Sequence, residues 1–205
     1  MQTAQLAESI ADRISERGFA QVEGFLDNPA RAALAAAVRA HPMRAARTGV
    51  DHREARREAI RGDVIAWIDP DVAAPAIARW HAGMQTLGVA LAQALRLPPL
   101  TFDAHLTRYP PGTFYRSHVD AADEGSRRLL SAICYLGEGW TPTHGGRLRI
   151  ARAPGAASSA EDAIVLPPLG GSLVLFTSHG TAHEVEETSV ERLSLTGWYL
   201  RAPDR

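Results

Sequence analysis

The sequence predicts a mainly β protein with buttressing α-helices, and two patterns support this prediction. From residue 101 onward, short apolar or alternating segments are separated by clusters of Gly, Pro and Asp, as is typical of strands joined by turns. The first hundred residues instead place apolar side chains at helical spacing. Eight strands at this spacing favour a β-sandwich or barrel. The predicted strands are 101–109, 113–119, 128–136, 146–151, 163–166, 172–177, 183–187 and 192–200.

Three helices are predicted in the first hundred residues. The first ends at Gly18, and the second begins with Asn28 as its N-cap and Pro29 as its first helical residue. The third carries Trp80 and Met84 on an apolar stripe, which we expect to pack against a sheet rather than to bind a cofactor. The residues that define the apolar faces of the first and third helices are Leu6, Ile10, Ile14, Ile77, Trp80, Met84, Leu87 and Leu91.

The chain is expected to form one domain. Its 205 residues suit a single core, and no linker or internal repeat divides them. We therefore expect residues 1–205 to fold as one unit, with helical support over about 1–100 and the β core over about 101–201. The helices would pack on one face of that core.

Composition excludes several classes of function. A net charge of -1 and a pI near 6.7 give no general footprint for nucleic-acid binding. The single cysteine, Cys134, lies in an apolar run and rules out an internal disulfide or a Cys-based zinc site. No apolar segment is long enough to span a bilayer, and the N-terminal residues lack a secretory pattern. We expect a cytoplasmic protein that binds neither nucleic acid nor membranes.

A polar stretch at 43–61 separates the second and third helices. It contains six Arg against Asp51, Glu54 and Glu58. Such a charge run is usually a solvated loop. A loop that covers a substrate is the functional alternative, because binding residues concentrate on loops. A short strand is predicted directly afterwards, at 64–68.

A metal site is predicted from His118 and Asp120, with His183 as a third ligand from later in the chain. Side chains at i and i+2 of a strand share a face, so this imidazole and carboxylate point the same way. Two His and one carboxylate on one side of a metal form the facial set that suits non-haem Fe(II). His179 competes with His183 as the distal ligand but lies in a predicted turn, and Asp123 is a weaker competitor of Asp120.

The last predicted strand has one polar face. Arg192, Ser194, Thr196 and Trp198 share that face under period two, whereas the alternating leucines share the other. One cation, two hydroxyls and an indole suit the wall of a polar pocket better than a packed core. Arg192 follows nine residues after His183, so its guanidinium could hold the carboxylate of an acidic co-substrate.

Six segments, in this order along the chain, resemble the 2-oxoglutarate and Fe(II)-dependent prolyl 4-hydroxylases. The first is similar to the corresponding stretch of the hypoxia-inducible-factor (EGLN-like) branch and its bacterial relatives. One departure is Ser117, where an Arg is common in that branch. The segments are IRGDVIAWI at 60–68, YPPGTFYRSHVD at 109–120, CYLGEGW at 134–140, GGRLRI at 145–150, HEV at 183–185 and RLSLTGW at 192–198.

The resemblance implies a double-stranded β-helix (jelly-roll) core and a set of ligands. It implies that His118, Asp120 and His183 hold Fe(II), with no catalytic residue beyond this metal site. It also implies that Arg192 pairs with the distal carboxylate of the 2-oxoglutarate co-substrate and that Tyr135 hydrogen-bonds the same carboxylate. Tyr109 and Thr196 would line the pocket that holds this co-substrate.

The resemblance also implies a substrate side and a reaction. Arg61 and Asp63 match the family's substrate-side segment, and Tyr115, Arg128 and Trp198 would lie near a peptide entrance. The Arg-rich stretch described above would be a mobile loop that folds over substrate. The implied reaction is hydroxylation of a prolyl residue in a protein, with O2 consumed and succinate and CO2 released. Among bacterial relatives the candidate target is elongation factor Tu, and ascorbate is a candidate accessory reductant.

Three alternatives remain open from the residues themselves. The same chemistry on a free amino acid or small peptide is the first, although the 60–68 segment favours a macromolecule. A non-enzymatic jelly roll that only binds metal is the second, and Arg192 argues against it because metal binding needs no carboxylate fork. A zinc hydrolase is the third, but the chain has no helical His-Glu-x-x-His motif.

Overall fold

The computed structural model describes residues 2–47, 59–121, 125–152, 155–159 and 161–203. Within those ranges the helices are α1 (Thr3–Arg17), α2 (Asn28–Ala40) and α3 (Pro75–Ala94). The strands are β1 (Phe19–Val22), β2 (Arg44–Ala45), β3 (Val64–Trp67), β4 (Leu100–Tyr109), β5 (Thr113–His118), β6 (Arg128–Tyr135), β7 (Leu148–Ile150), β8 (Ile164–Leu166), β9 (Leu173–Thr177), β10 (His183–Thr188) and β11 (Arg192–Arg201).

The eight strands β4 to β11 form a double-stranded β-helix, as predicted. Four of them lie in a sheet of order β1-β9-β6-β11-β4-β3-β2, and the other four form a sheet of order β5-β10-β7-β8. Every strand pairing is antiparallel. A second apolar cluster joins the two sheets, with Phe176 and Tyr135 from the larger and Leu148 and Val185 from the smaller. The sheets therefore enclose one interior between them.

The helices cover the opposite face of the larger sheet. The main core joins Leu193, Leu195 and Tyr199 of β11 to helical residues such as Ile10 and Met84. Trp80 belongs to the same core, so the packing role predicted for the third helix is confirmed. Since side chains alternate along a strand, the other face of β11 is left for the interior between the sheets.

Two local features differ from the sequence-based expectations. The N-cap of α2 is Asp27 rather than Asn28, because the Asp27 carboxylate accepts a hydrogen bond from the amide of Ala30 at 2.8 Å. In addition, the stretch predicted as a loop begins with strand β2, which pairs with β3. The central part of that stretch, 48–58, lies outside the described residues. No helix in the described ranges is both long and apolar enough to span a bilayer.

We expect Gly88→Ala to destabilise the protein. A Cβ at Gly88 would lie 2.7 Å from Cε1 of Tyr199, a ring that is fully buried between α3 and the sheet. Overpacking of this kind costs about 1–3 kcal/mol, which outweighs the helix propensity that alanine adds.

Gly83→Ala is the matched control, because Gly83 lies on the same helix and a methyl group added there would meet no neighbour within 4 Å. We expect it to raise the free energy of unfolding by about 0.5–1 kcal/mol. Urea denaturation of both variants measures the difference. Equal stabilisation by the two substitutions would contradict the packing of α3 on Tyr199.

Candidate active site

The predicted metal-binding residues meet where two strands of the smaller sheet begin and end. His118 is the last residue of β5, and His183 is the first residue of β10. The antiparallel register places these two residues directly opposite each other. Asp120 follows His118 by two residues and turns back toward both rings. Candidate ligand atoms of all three residues lie within 4.8 Å of one another.

The hydrogen bonds of the two imidazoles select the atoms that face the centre. Nδ1 of His118 lies 2.9 Å from the carbonyl oxygen of Arg116, and Nδ1 of His183 lies 3.1 Å from that of Thr181. Because a carbonyl only accepts, each Nδ1 carries the hydrogen and each Nε2 keeps a free lone pair. The Nε2 atoms lie 3.7 Å and 3.6 Å from the two carboxylate oxygens of Asp120.

Asp120 is held by neighbours on β6. The hydroxyl of Ser131 donates to Oδ2 at 2.6 Å, and Arg128 donates to the backbone oxygen of Asp120 at 3.2 Å. Burial by itself would raise the pKa of Asp120, but the two imidazoles and the Ser131 hydroxyl outweigh burial and lower the pKa to about 2. The carboxylate is therefore ionised at neutral pH, as a metal ligand must be.

His118 is held as a neutral ring. Burial, and then the nearby imidazole of His183, lower the pKa of His118 to about 3. The ring of Tyr115 stacks on it with centroids 3.6 Å apart and planes 13° apart. A neutral, stacked imidazole with its free Nε2 toward the centre is already in the form that binds a divalent cation.

A cavity of about 660 Å³ extends from these three residues into the interior between the sheets. Arg192 is buried in its wall, 5% exposed, and its Nε donates to the carbonyl of Gly146 at 2.9 Å. Its guanidinium carbon lies 5.0 Å and 4.9 Å from the ring centroids of Tyr109 and Tyr135. Arg192 is thus a rigid cation between two aromatic rings.

Two buried polar atoms beside this cation lack partners. Within the part of the chain that the structure describes, neither Nη2 of Arg192 nor the hydroxyl of Tyr135 makes a hydrogen bond of good geometry, although Arg192 lies close enough to oppose the rise in the pKa of Tyr135 that burial causes. Burying such atoms unpaired is costly, so their presence indicates a ligand that satisfies them. A carboxylate fits both donors, because a guanidinium and a phenol can each donate to its oxygens. The residues present therefore suit a small dicarboxylate with its far end here.

The predicted substrate-side residues Arg61 and Asp63 pair with each other. Arg61 donates to both Asp63 oxygens, at 2.7 Å and 2.6 Å. Burial would lower the pKa of Arg61, but the Asp63 carboxylate outweighs burial and raises it. Arg61 also lies 4.1 Å above the ring of Tyr115 and donates to the carbonyl of Arg47. Asp63 is itself buried, so the pair fixes the position of Tyr115 and of the backbone at Arg47.

Arg128 and Trp198 form another part of the cavity wall. The guanidinium of Arg128 lies 3.9 Å above the ring of Trp198. Trp67 packs at 5.9 Å from the same ring and is 48% exposed. Arg44 and Arg47 lie at the same mouth and are exposed. The entrance thus combines aromatic surface with positive charge.

The structure brings most of the predicted residues to this one cavity. Thr196 and Tyr109 line it, whereas Tyr135 is not among the lining residues and packs beside Arg192. His179 is exposed and is not part of the cluster among the described residues, which leaves His183 as the distal imidazole. The competitor Asp123 lies outside the described residues.

Four residues of the site were not predicted from the sequence. They are a serine whose hydroxyl donates to Asp120, two polar residues of β4 and a tryptophan at the mouth of the cavity. The signal for the β4 pair was available, since residues 105 and 107 alternate in phase with the predicted pocket residue Tyr109. The residues are Ser131, His105, Thr107 and Trp67.

Comparison with known proteins points to one family. The model of the 2OG-Fe(II) oxygenase superfamily matches residues 104–200, which span the jelly-roll strands. The prolyl hydroxylases EGLN3 of Mus musculus and Homo sapiens are 35% identical over 95 residues, which is 46% of this chain and 38% of those proteins. The match thus spans well under half the length of these curated relatives.

Two solved structures match almost the whole chain. The crystal structure of a Pseudomonas putida prolyl-4-hydroxylase is 39% identical, with a TM-score of 0.82 over 96% of this chain and 100% of that one. A Trichoplax adhaerens prolyl hydroxylase in complex with a hypoxia-inducible-factor peptide shares the fold, with a TM-score of 0.83 and 23% identity over 97% and 90% of the two chains. The chain therefore belongs to the 2OG-Fe(II) oxygenase superfamily, in its prolyl hydroxylase family.

Proposed function

We propose that this protein is an Fe(II)- and 2-oxoglutarate-dependent dioxygenase that hydroxylates a prolyl residue in a protein. One observation supports this most strongly: a His-Asp-His cluster and a buried guanidinium with an unpartnered donor line the same cavity. Metal binding alone would not require Arg192, and carboxylate binding alone would not require His118, Asp120 and His183. Their combination suits a metal that works together with an acidic co-substrate.

We assign the metal to His118, Asp120 and His183. These three residues would hold Fe(II), and two imidazoles with one carboxylate are the donor set that suits a metal which also takes an acidic co-substrate and O2. When bound, Fe(II) with 2-oxoglutarate and O2 supplies oxidative decarboxylation to succinate and CO2 coupled to oxygen insertion into a C–H bond. The chain's part is to fix the orientation of the two imidazoles through the carbonyls of Arg116 and Thr181, which accept from Nδ1 and leave Nε2 toward the centre.

We assign 2-oxoglutarate binding to Arg192, Tyr135, Tyr109 and Thr196. Arg192 and Tyr135 would bind its distal carboxylate, since both present buried donors without partners in the described protein. Tyr109 packs beside the guanidinium and narrows the cavity. Neutralising the buried cation in this way would make the binding strong and specific for an acid of matching length.

A protein is the substrate that the entrance supports best. Trp67 is half-exposed there, and Arg44 and Arg47 have no acidic partner among the residues described. Arg and aromatic residues of this kind are enriched in protein interfaces. Trp198 and Arg128 would contact the chain entering the cavity, while Arg61 and Asp63 would act by bracing Tyr115. We take elongation factor Tu as the target to test first, with a cytoplasmic location and ascorbate as an accessory reductant.

The first prediction concerns the reaction. The protein is loaded anaerobically with Fe(II) and 2-oxoglutarate, mixed with elongation factor Tu and exposed to O2. We expect one prolyl peptide in the digest to gain the mass of one oxygen atom, with an equal amount of succinate released. Succinate with hydroxylated free proline or a short peptide, and no modified protein, would support the small-substrate alternative. Absence of succinate with every substrate would contradict the proposed function.

The second prediction concerns the distal metal ligand. We expect His183→Ala to abolish turnover and to weaken Mn(II) binding, because it removes one of three ligand atoms. His179→Ala is the matched control and should leave both unchanged, since His179 is exposed and separate from the cluster. Calorimetric titration with Mn(II) gives a measure that is independent of activity. The reverse behaviour of the two variants would overturn the assignment.

The third prediction concerns the carboxylate anchor. We expect Arg192→Lys to raise the concentration of 2-oxoglutarate needed for half-maximal turnover by about 10- to 100-fold, because a lysine cannot form the planar fork. Arg152→Lys, on the exposed surface, should have no effect. The measurement is succinate release against 2-oxoglutarate concentration. An unchanged requirement in Arg192→Lys would show that the carboxylate binds elsewhere.

A further inference from the structure

A line of three polar side chains crosses from β4 to β11 in the wall of the cavity. The hydroxyl of Thr107 lies 2.9 Å from Nδ1 of His105 and 3.1 Å from the hydroxyl of Thr196. All three residues line the cavity, and His105 and Thr107 are buried. None of them belongs to the metal cluster.

The hydrogen bonds in this line have one consistent direction. Thr107 has a single hydroxyl hydrogen, and the geometry directs it to the oxygen of Thr196. Thr107 must then accept at its own oxygen, so the hydrogen between it and His105 resides on Nδ1. The backbone carbonyl of Leu106, 3.3 Å from the same Nδ1, also only accepts and requires the same tautomer.

The surroundings of His105 keep that tautomer in place. Burial lowers the pKa of His105 to about 4, so the ring is neutral at physiological pH. Its ring centroid lies 5.2 Å from that of Trp67 and 5.4 Å from that of Trp198. The neutral imidazole packs against both indoles, whose centroids are 5.9 Å apart, and it presents Nδ1 to Thr107 in this packing.

The direction of these hydrogen bonds determines what the hydroxyl of Thr196 can do. Its oxygen already accepts from Thr107, so its own hydrogen is available to donate into the cavity. Along β11, Thr196 lies between Arg192, the proposed carboxylate anchor, and Trp198. Trp198 is paired on β6 with Ser131, whose hydroxyl donates to Asp120. The Thr196 hydroxyl therefore faces the part of the cavity between Arg192 and the metal cluster.

We propose that His105 and Thr107 are positioning residues that orient the Thr196 hydroxyl to donate a hydrogen bond to an oxygen of bound 2-oxoglutarate. The inference rests on the proposed function, because it takes 2-oxoglutarate as the ligand. Without the relay the Thr196 hydroxyl can rotate and donate to Thr107 instead, and the co-substrate then loses a fixed donor. A net hydrogen bond of this kind changes an affinity by about 3- to 10-fold.

The test measures 2-oxoglutarate affinity anaerobically in the Mn(II)-loaded protein, where no turnover occurs. We expect Thr107→Val to weaken binding by about 3- to 10-fold and Thr107→Ser, which keeps the hydroxyl, to restore it. Thr86→Val is the matched control on the exposed face of α3, where the hydroxyl bonds only the carbonyl of Ala82. It should bind like the wild type.

A double-mutant cycle tests whether Thr107 acts through Thr196. We expect Thr196→Val to weaken binding, and Thr107→Val to add little in that background, because the two residues form one unit. Purely additive effects would mean that Thr107 has a separate, structural influence and would overturn the proposal. Thermal unfolding of each variant establishes that the folded protein is being compared.

Substitutions of His105 test the tautomer. The amide nitrogen of Asn can occupy roughly the place of Nδ1, whereas that of Gln reaches roughly the place of Nε2. We therefore expect His105→Asn to bind 2-oxoglutarate more tightly than His105→Gln. The opposite order would show that His105 acts through Nε2 and would overturn the relay. Thr107→Val and Thr107→Ser decide the matter if the His105 variants do not fold.

Failure of this inference differs from failure of the proposed function. If the wild-type protein with Mn(II) binds no 2-oxoglutarate, the proposed function is wrong and the relay is wrong with it. If the wild type binds and Thr107→Val binds equally well, the co-substrate assignment stands and only the relay is overturned.

Discussion

The site depends on the position of β11 in the middle of the larger sheet. This strand pairs along its length with β4 on one side and β6 on the other. Its alternating leucines pack into the helical core, so its remaining side chains must face the interior between the sheets. The cavity residues Arg192 and Thr196 are therefore placed by the same constraint that holds the helices on the sheet. A shift of one residue in register would exchange the two faces.

The two buried arginines of this cavity differ in whether a carboxylate of the described protein neutralises them. Arg61 and Asp63 satisfy each other through two hydrogen bonds, and the pair is complete without a ligand. Arg192 is held by the carbonyl of Gly146 and the rings of Tyr109 and Tyr135, and it has no carboxylate partner among the described residues. A buried cation without a counter-charge is unfavourable for the fold but provides a site that an anion can complete. The difference separates a structural ion pair from a binding group.

The metal cluster is preorganised by backbone carbonyls and one hydroxyl. Each imidazole donates from Nδ1 to a carbonyl two residues before it in the chain, and Ser131 donates to Asp120. Little rearrangement is therefore needed for the three residues to face a common centre. Because these supports come from β5, β6 and the residues before β10, the geometry of the cluster depends on both sheets.

The sequence alone determined the elements and most of the site. Apolar and alternating segments between turn residues predicted eight strands and the polar face of β11, because these patterns follow from local backbone geometry, and the family resemblance implied the jelly roll. The His118 and Asp120 spacing predicted two ligands on one face of a strand, whereas β5 ends at His118 and Asp120 reaches the site from the residues that follow. The sequence favoured His183 over His179 because it lies in a predicted strand, and the strand register of the tertiary structure places it opposite His118. The hydrogen bond from Thr107 of β4 to Thr196 of β11 was likewise decided by packing, because a contact between separate strands depends on a register that no local spacing encodes.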